Sequence, residues 1–262
     1  MKRAANPFLD EGMRTYFSHG IILRSYLFLA GALALVLVLW WPRGTLEAAL
    51  RSGSGADTFS AVSVAFLVLL MYLGARYGSE AWSPESAGKL GQYVALTPVS
   101  VVAVVAGRAG FAFLHTLFLL GLGVPFLLAS LAVTGTGAPR VAEALLVTGA
   151  ATLSVRMYAL LLLTLMPGRQ FLRDVALMSS VALTLALITA LAPAASPLSA
   201  VLGLSPARGT AAAPVRLLSV SIPFFLVSVI IALLAALILT GGAIASLKIV
   251  RSRARAKETG HT

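Results

Sequence analysis

The decisive stretch runs from Ile222 to Leu247 and reads IPFFLVSVIIALLAALILTGGAIASL, without one charged residue. At 1.5 Å of rise per residue such a helix is long enough to cross a hydrocarbon core of roughly 30 Å. Similar runs recur upstream, at about Ile22–Trp41, Phe59–Tyr77, Phe111–Val133, Val141–Met166 and Val175–Leu191. Their ends carry their own punctuation. Trp40-Trp41-Pro42 pairs an interfacial aromatic anchor with a helix stop, while Pro167-Gly168 and Pro193 close the fourth and fifth runs. Composition agrees. Of 262 residues 59% are apolar and 11% charged, against roughly 45–50% and about 25% in an ordinary soluble domain, and the mean hydropathy is +0.94. The expected fold is an all-α polytopic membrane protein with six transmembrane helices in one domain.

Between the spans the pattern changes. From Pro98 to Thr134 the chain is apolar for too long to be a single span, and Gly107-Arg108-Ala109-Gly110 interrupts it. Val99–Ala106 is therefore expected as a short helix at the membrane surface, closing a polar segment of about 78–110. Before the first span, Leu9, Met13, Tyr16, Phe17 and Gly20 recur at helical spacing beside Asp10, Glu11, Arg14, Thr15 and Ser18, the pattern of a helix lying in the interface plane over about 6–20. Asn6 is its expected N-cap and Pro7 opens its first turn. The interval of about 194–219 is too apolar for a free loop and too rich in proline for a span, so short helices dipping into the outer leaflet are expected there.

The formal charge of +11 comes from 16 Arg and 4 Lys against 9 acids. On a soluble chain that balance would suggest nucleic acid. Sorted by side, however, only Arg43, Arg51, Arg140, Arg208 and Arg216 fall opposite the termini, Arg156 falls inside the fourth span, and the remaining fourteen share the side of the termini. By the positive-inside rule both termini are cytoplasmic, in a multi-pass protein of the cytoplasmic (inner) membrane, and no nucleic-acid partner is expected. The tail of 248–262, with Lys248, Arg251, Arg253, Arg255 and Lys257, suits anionic lipid head groups. No cleaved signal peptide is expected.

Cysteine is absent, which excludes disulfides and thiolate nucleophiles. The three histidines, His19, His115 and His261, have no second ligand at helical spacing, so no metal site is expected, and a structural role suits His115. Paired intramembrane carboxylates are absent, and Ser154, Ser179 and Ser180 have only His115 as an intramembrane base, so no catalytic residue is assigned. Arg156 stands out instead. An ionised side chain at such depth costs at least about 2.5–3.5 kcal/mol on insertion scales, and no acid stands at its depth. It either bonds backbone carbonyls or snorkels, or it meets an anionic group of a substrate or lipid. Gly241 and Ala245 form a small-xxx-small pair expected to pack within the subunit, and Pro125 is expected to kink the third span.

The order of these parts resembles the membrane subunit of type-2 ABC exporters. The resemblance is carried by Asn6-Pro7 with Asp10-Glu11 and Arg14, and by Glu85 through Ser100 ending in Thr97-Pro98-Val99-Ser100, with Gly107-Arg108 following. The chain departs from the family pattern at Gly88-Lys89-Leu90-Gly91-Gln92, where Gly-Thr-Leu-Glu is usual, and at Arg108, where lysine is commoner. The resemblance implies an elbow helix bearing Asn6, Pro7, Glu11 and Arg14. It also implies an ATPase-coupling segment bearing Glu80, Glu85, Lys89, Thr97, Pro98, Ser100 and Arg108. It further implies a dimer with a second copy or a paralogous permease, with spans one, two and five near the interface, and outward movement of substrate driven by a cytoplasmic ABC ATPase. No Gly-x-x-x-x-Gly-Lys-(Ser/Thr) phosphate loop occurs in the sequence. No cofactor is therefore expected in this chain, ATP and Mg being held by the partner. A scaffold without a transport path, or a secondary carrier, are the other readings.

Overall fold

The computed structural model describes residue 9 and residues 20–43, 55–79, 99–134, 137–166, 169–204, 215–217 and 220–259. Those residues are about 90% helical. In chain order they form α1 (Gly20–Leu39), α2 (Gly55–Ser79), α3 (Val101–Ala132), α4 (Pro139–Leu165), α5 (Gln170–Leu191), a single 3-10 turn (Pro193–Ala195), α6 (Pro197–Gly203), β1 (Val215–Leu217), β2 (Val220–Ile222) and α7 (Phe224–Thr259). Five of them, α2 to α5 and α7, are long and apolar enough to cross a membrane, and α1 adds the shorter apolar stretch Leu23–Leu39. The protein is a multi-pass membrane protein. Helices are what an apolar chain must form there, because each backbone polar group needs a partner within its own segment.

Two expectations are corrected. Val99–Ala106 is no separate surface helix. α3 starts at Val101, with Ser100 as its N-cap accepting a hydrogen bond from the Ala103 amide at 3.1 Å, and runs unbroken through Gly107-Arg108-Ala109-Gly110 to Ala132. Two glycines in a helix cost about 1 kcal/mol each, less than leaving backbone groups unbonded in hydrocarbon. At 32 residues α3 is about 48 Å long, more than a hydrocarbon core of roughly 30 Å requires. The second correction concerns 194–219. Its first part is helical, as expected, but Val215–Leu217 pairs antiparallel with Val220–Ile222, Arg216 opposite Ser221, where more helix was expected. The β-branched residues Val215, Val220 and Ile222 favour that extended pairing. The basic tail is also helical, because α7 continues through Lys248 to Thr259.

The fold is centred on α2 and α4. In their most apolar windows 56% and 61% of residues are buried, against 6% in α5 and 11% in α7. α7 lies along α4 in the most extensive helix pairing of the molecule, and α2 packs along α4 from another side. One apolar cluster joins α1, α2 and α3 through Leu29, Leu33, Phe66 and Leu127. A second joins the start of α3 to the ends of α4 and α7 through Val104, Leu160, Ala243 and Leu247. α6 is sunk into a third, with Ala200 and Val201 packed beside Leu67 and Val147.

In a bilayer, apolar burial does not drive helices together, so close fit must. Glycines supply it. A Cβ on Gly123 of α3 would fall 2.2 Å from the Phe66 ring of α2, and one on Gly74 of α2 would fall 2.9 Å from Thr152 Cγ2 of α4. The small residues of α7 work differently from expectation. Gly242 meets Leu161 of α4 and Ala243 is fully buried, whereas Gly241 has open space around it and Ala245 is exposed. The inward residues are thus the adjacent Gly242 and Ala243 in place of the i, i+4 pair singled out by spacing. Pro125 lies inside α3 and the helix passes through it.

Candidate functional site

The polar centre of the bundle is Arg156 of α4, 2% exposed and nine residues before the helix ends. Its Nη1 donates to the Ala112 carbonyl at 2.7 Å and to Thr116 Oγ1 at 3.3 Å, and its Nη2 donates to His115 Nδ1. All three acceptors lie on α3, where Ala112, His115 and Thr116 share one face by their i, i+3, i+4 spacing. His115 then reaches α1, its Nε2 standing 2.8 Å from the Tyr26 hydroxyl. Arginine has donors only, so His115 Nδ1 must accept. The neutral imidazole then carries its proton on Nε2 and donates it to the Tyr26 oxygen, an assignment that follows from the hydrogen-bond logic. The chain of polar contacts has one sense, from α4 through α3 to α1.

Aromatic rings enclose it. Phe111 stacks on His115 with centroids 5.6 Å apart and 14° between planes, Tyr77 of α2 meets the same ring edge-on at 5.4 Å, and Phe118 meets Tyr26 edge-on at 5.1 Å. Gly74 completes the fit, because a Cβ there would lie 3.4 Å from Arg156 Cγ. Four helices therefore meet around the Arg156–His115 pair. These three acceptors of Arg156 are uncharged, a carbonyl, a hydroxyl and an imidazole. Hydrogen bonds to an ionised donor are worth about 1.5–3 kcal/mol each, enough in sum to offset the insertion cost of one arginine.

Arg156 bonds one backbone carbonyl, that of Ala112, together with the Thr116 hydroxyl and the His115 ring. The fourth span does contain an acid, Glu143, but it lies thirteen residues earlier, about 20 Å along the helix, and pairs with Arg140 at 2.9 Å. His115, expected to be structural, is the hinge of the cluster. The coupling-segment residues separate. Ser100 caps α3. Arg108, rather than standing on a cytoplasmic surface, is 6% exposed on the inward face of α3. Arg251 of α7 donates to the Val99 carbonyl at 3.0 Å, tying the last helix to the start of α3. Glu80, Glu85, Lys89, Thr97 and Pro98, and the elbow residues Asn6, Pro7, Glu11 and Arg14, lie outside the described residues.

Sequence reasoning missed Tyr26, Gly74 and the line Thr148, Thr152, Arg156 on α4, all three of which are buried. The available signal was their spacing of four, which puts two hydroxyls and the guanidinium on one stripe. Among the described residues no group of three or more His, Asp or Glu could hold a metal ion. No family model, no curated protein and no solved structure matches the chain.

Proposed function

We propose that the chain is the permease subunit of a type-2 ABC exporter, moving its substrate outward across the cytoplasmic membrane when a separate ABC ATPase binds and hydrolyses ATP. The order of parts carries this reading. An amphipathic N-terminal stretch precedes α1, a polar segment bearing Glu85 and Thr97-Pro98-Val99-Ser100 separates α2 from α3, and short elements occupy the interval between α5 and α7. With α1 counted as a span there are six, and the basic residues put both termini in the cytoplasm. Two features suit a chain driven from outside. It has no phosphate loop of its own, and the start of α3 is capped by Ser100 and held to α7 through Arg251. A push on the α2–α3 connection would then reach the bundle as a rigid displacement.

Because the chain is free of cysteine, orientation is readable with single introduced thiols. In intact cells a membrane-impermeant maleimide is expected to label Arg43→Cys and to spare Thr262→Cys until the membrane is opened. The reverse pattern would overturn the assigned sidedness. For the function itself, affinity purification is expected to bring down an ATPase chain whose turnover rises when this chain is present in a bilayer. Purification as a stable, partnerless protein would favour the scaffold, and substrate movement dependent on an ion gradient without ATP would favour a secondary carrier.

A further inference from the structure

α5 and α7 both rest on α4 but have no extended packing against each other. The space left between them is a cavity of about 350 Å³. Val155 of α4 and Met71 of α2 form its floor, Leu185 of α5 and Ala235 of α7 its walls, and Ala195 and Pro197 its roof. The roof is pinned to α5 by a hydrogen bond between Thr189 and Ser196, 2.7 Å long. On the open side Thr184 and Ile231 line the cavity and are exposed, so the groove faces outward between two helices whose own outer surfaces are apolar, with Leu183, Leu187, Leu234 and Ile238 all exposed.

We infer that this groove is a binding site for one acyl chain of a membrane lipid. Its lining helices are ones long and apolar enough to cross the membrane, so the medium at its mouth is hydrocarbon. A space of that size would hold on the order of ten waters by volume, yet a cavity needs two to four polar partners for each water it keeps. The lining offers only the hydroxyls of Ser154, Tyr158 and Thr184, and Ser154 already donates to the Ala151 carbonyl at 2.8 Å. Among the described residues no carboxylate or basic side chain lines it, so they give a charged solute nothing to meet. The size falls within the range of small-molecule sites, and the composition is theirs as well, mostly apolar with a few hydroxyls. An unbranched chain lying between α5 and α7 under the roof restores the packing that the two helices do not give each other. The site depends only on the membrane placement and not on the transport reading.

The test is residue-level photolabelling in nanodiscs containing phosphatidylglycerol with a mid-chain diazirine. Label is expected to concentrate on groove residues such as Leu185 and Ala235 relative to the outward residues Leu187 and Ile238. Ala235→Phe, which fills the groove from α7, is expected to lower groove labelling about tenfold, equivalent to about 1.4 kcal/mol, while Leu187 and Ile238 label as before. Thr184→Phe, at an exposed position on the other wall, gives the same result through a substitution that leaves the core untouched. Equal labelling of groove and outer face, or groove labelling unchanged in both variants, overturns the site. So does crosslinking of groove residues to a second copy of the chain in place of lipid.

Discussion

Arg156→Ala is expected to lower the thermal midpoint of the purified protein in detergent by about 10 °C, corresponding to about 3 kcal/mol at 2–4 °C per kcal/mol for a chain of this order of size. The substitution removes hydrogen bonds to Ala112, Thr116 and His115 together, and single interhelical bonds in membranes average about 0.6 and reach about 1.7 kcal/mol. It also leaves His115 Nδ1 without its donor in a buried site, a desolvation loss of about 1–3 kcal/mol. Arg156→Lys keeps a cation that reaches one acceptor and is expected to lose about half as much. If the chain is an exporter permease, stimulation of the partner ATPase should follow the same order, with lysine retaining more than alanine. Fluorescence-detected size exclusion after a heating series measures the first effect. A midpoint for Arg156→Ala within one or two degrees of wild type would show that the cluster holds nothing together, and equal near-wild-type stimulation in both variants would remove the site from the transport reading.

Gly123→Ala is the second large effect, and here two contributions oppose each other. Alanine gains about 0.5–1 kcal/mol over glycine within a helix. Its Cβ, however, would lie 2.2 Å from the Phe66 ring, and Phe66 is itself buried, 1% exposed. Overpacking costs typically 1–3 kcal/mol, so the balance is a loss of about 1–2 kcal/mol, and leucine at the same position should prevent accumulation of folded protein. Phe66→Ala in the same chain removes the obstacle. The double variant is therefore expected to be more stable than the sum of the two single losses predicts, a coupling that a double-mutant cycle reads directly. Additivity within experimental error would mean that α2 and α3 do not meet at these residues. Gly121, with nothing within 4 Å of its Cβ position, is the control at which alanine is expected to be neutral or better.

Hydropathy alone located the long helices, because length and absence of charge suffice to recognise a span. It could not orient them. When a helix is apolar on nearly every side, the period that marks a buried face in a soluble protein is lost, and which face turns inward is decided by a few small or polar residues. Gly123, Gly74 and the Thr148, Thr152, Arg156 stripe make that decision, and only the last is visible as a spacing. The interruption expected at Gly107-Arg108-Ala109-Gly110 failed for a related reason. Glycine breaks helices in water, where the backbone has an alternative partner, and in hydrocarbon it has none. Arg108, placed in the coupling segment by the resemblance, is buried on α3, the helix that runs unbroken through this stretch. The hairpin at Val215–Ile222 was hidden by its proline-rich neighbourhood, which argued for interruption without saying which structure would follow. Tyr26 gave no signal, since a single tyrosine near a span end is ordinary interfacial composition.

The one-way polar chain from α4 through α3 to α1 also constrains how the protein is made. A segment bearing Arg156 is costly to place in a bilayer by itself, and three acceptors for that guanidinium, on Ala112, His115 and Thr116, are on α3, which is synthesised first. Those acceptors are therefore waiting in the bilayer when the arginine-bearing segment leaves the ribosome, α3 ending at Ala132 and α4 beginning at Pro139. α1 waits longer, its Tyr26 hydroxyl accepting a hydrogen bond from an imidazole made some ninety residues later in synthesis. Biogenesis thus runs inward before it runs outward, the central pair α2 and α4 closing only when α4 has been made, and the sparsely buried α5 and α7 being laid onto a core that already exists.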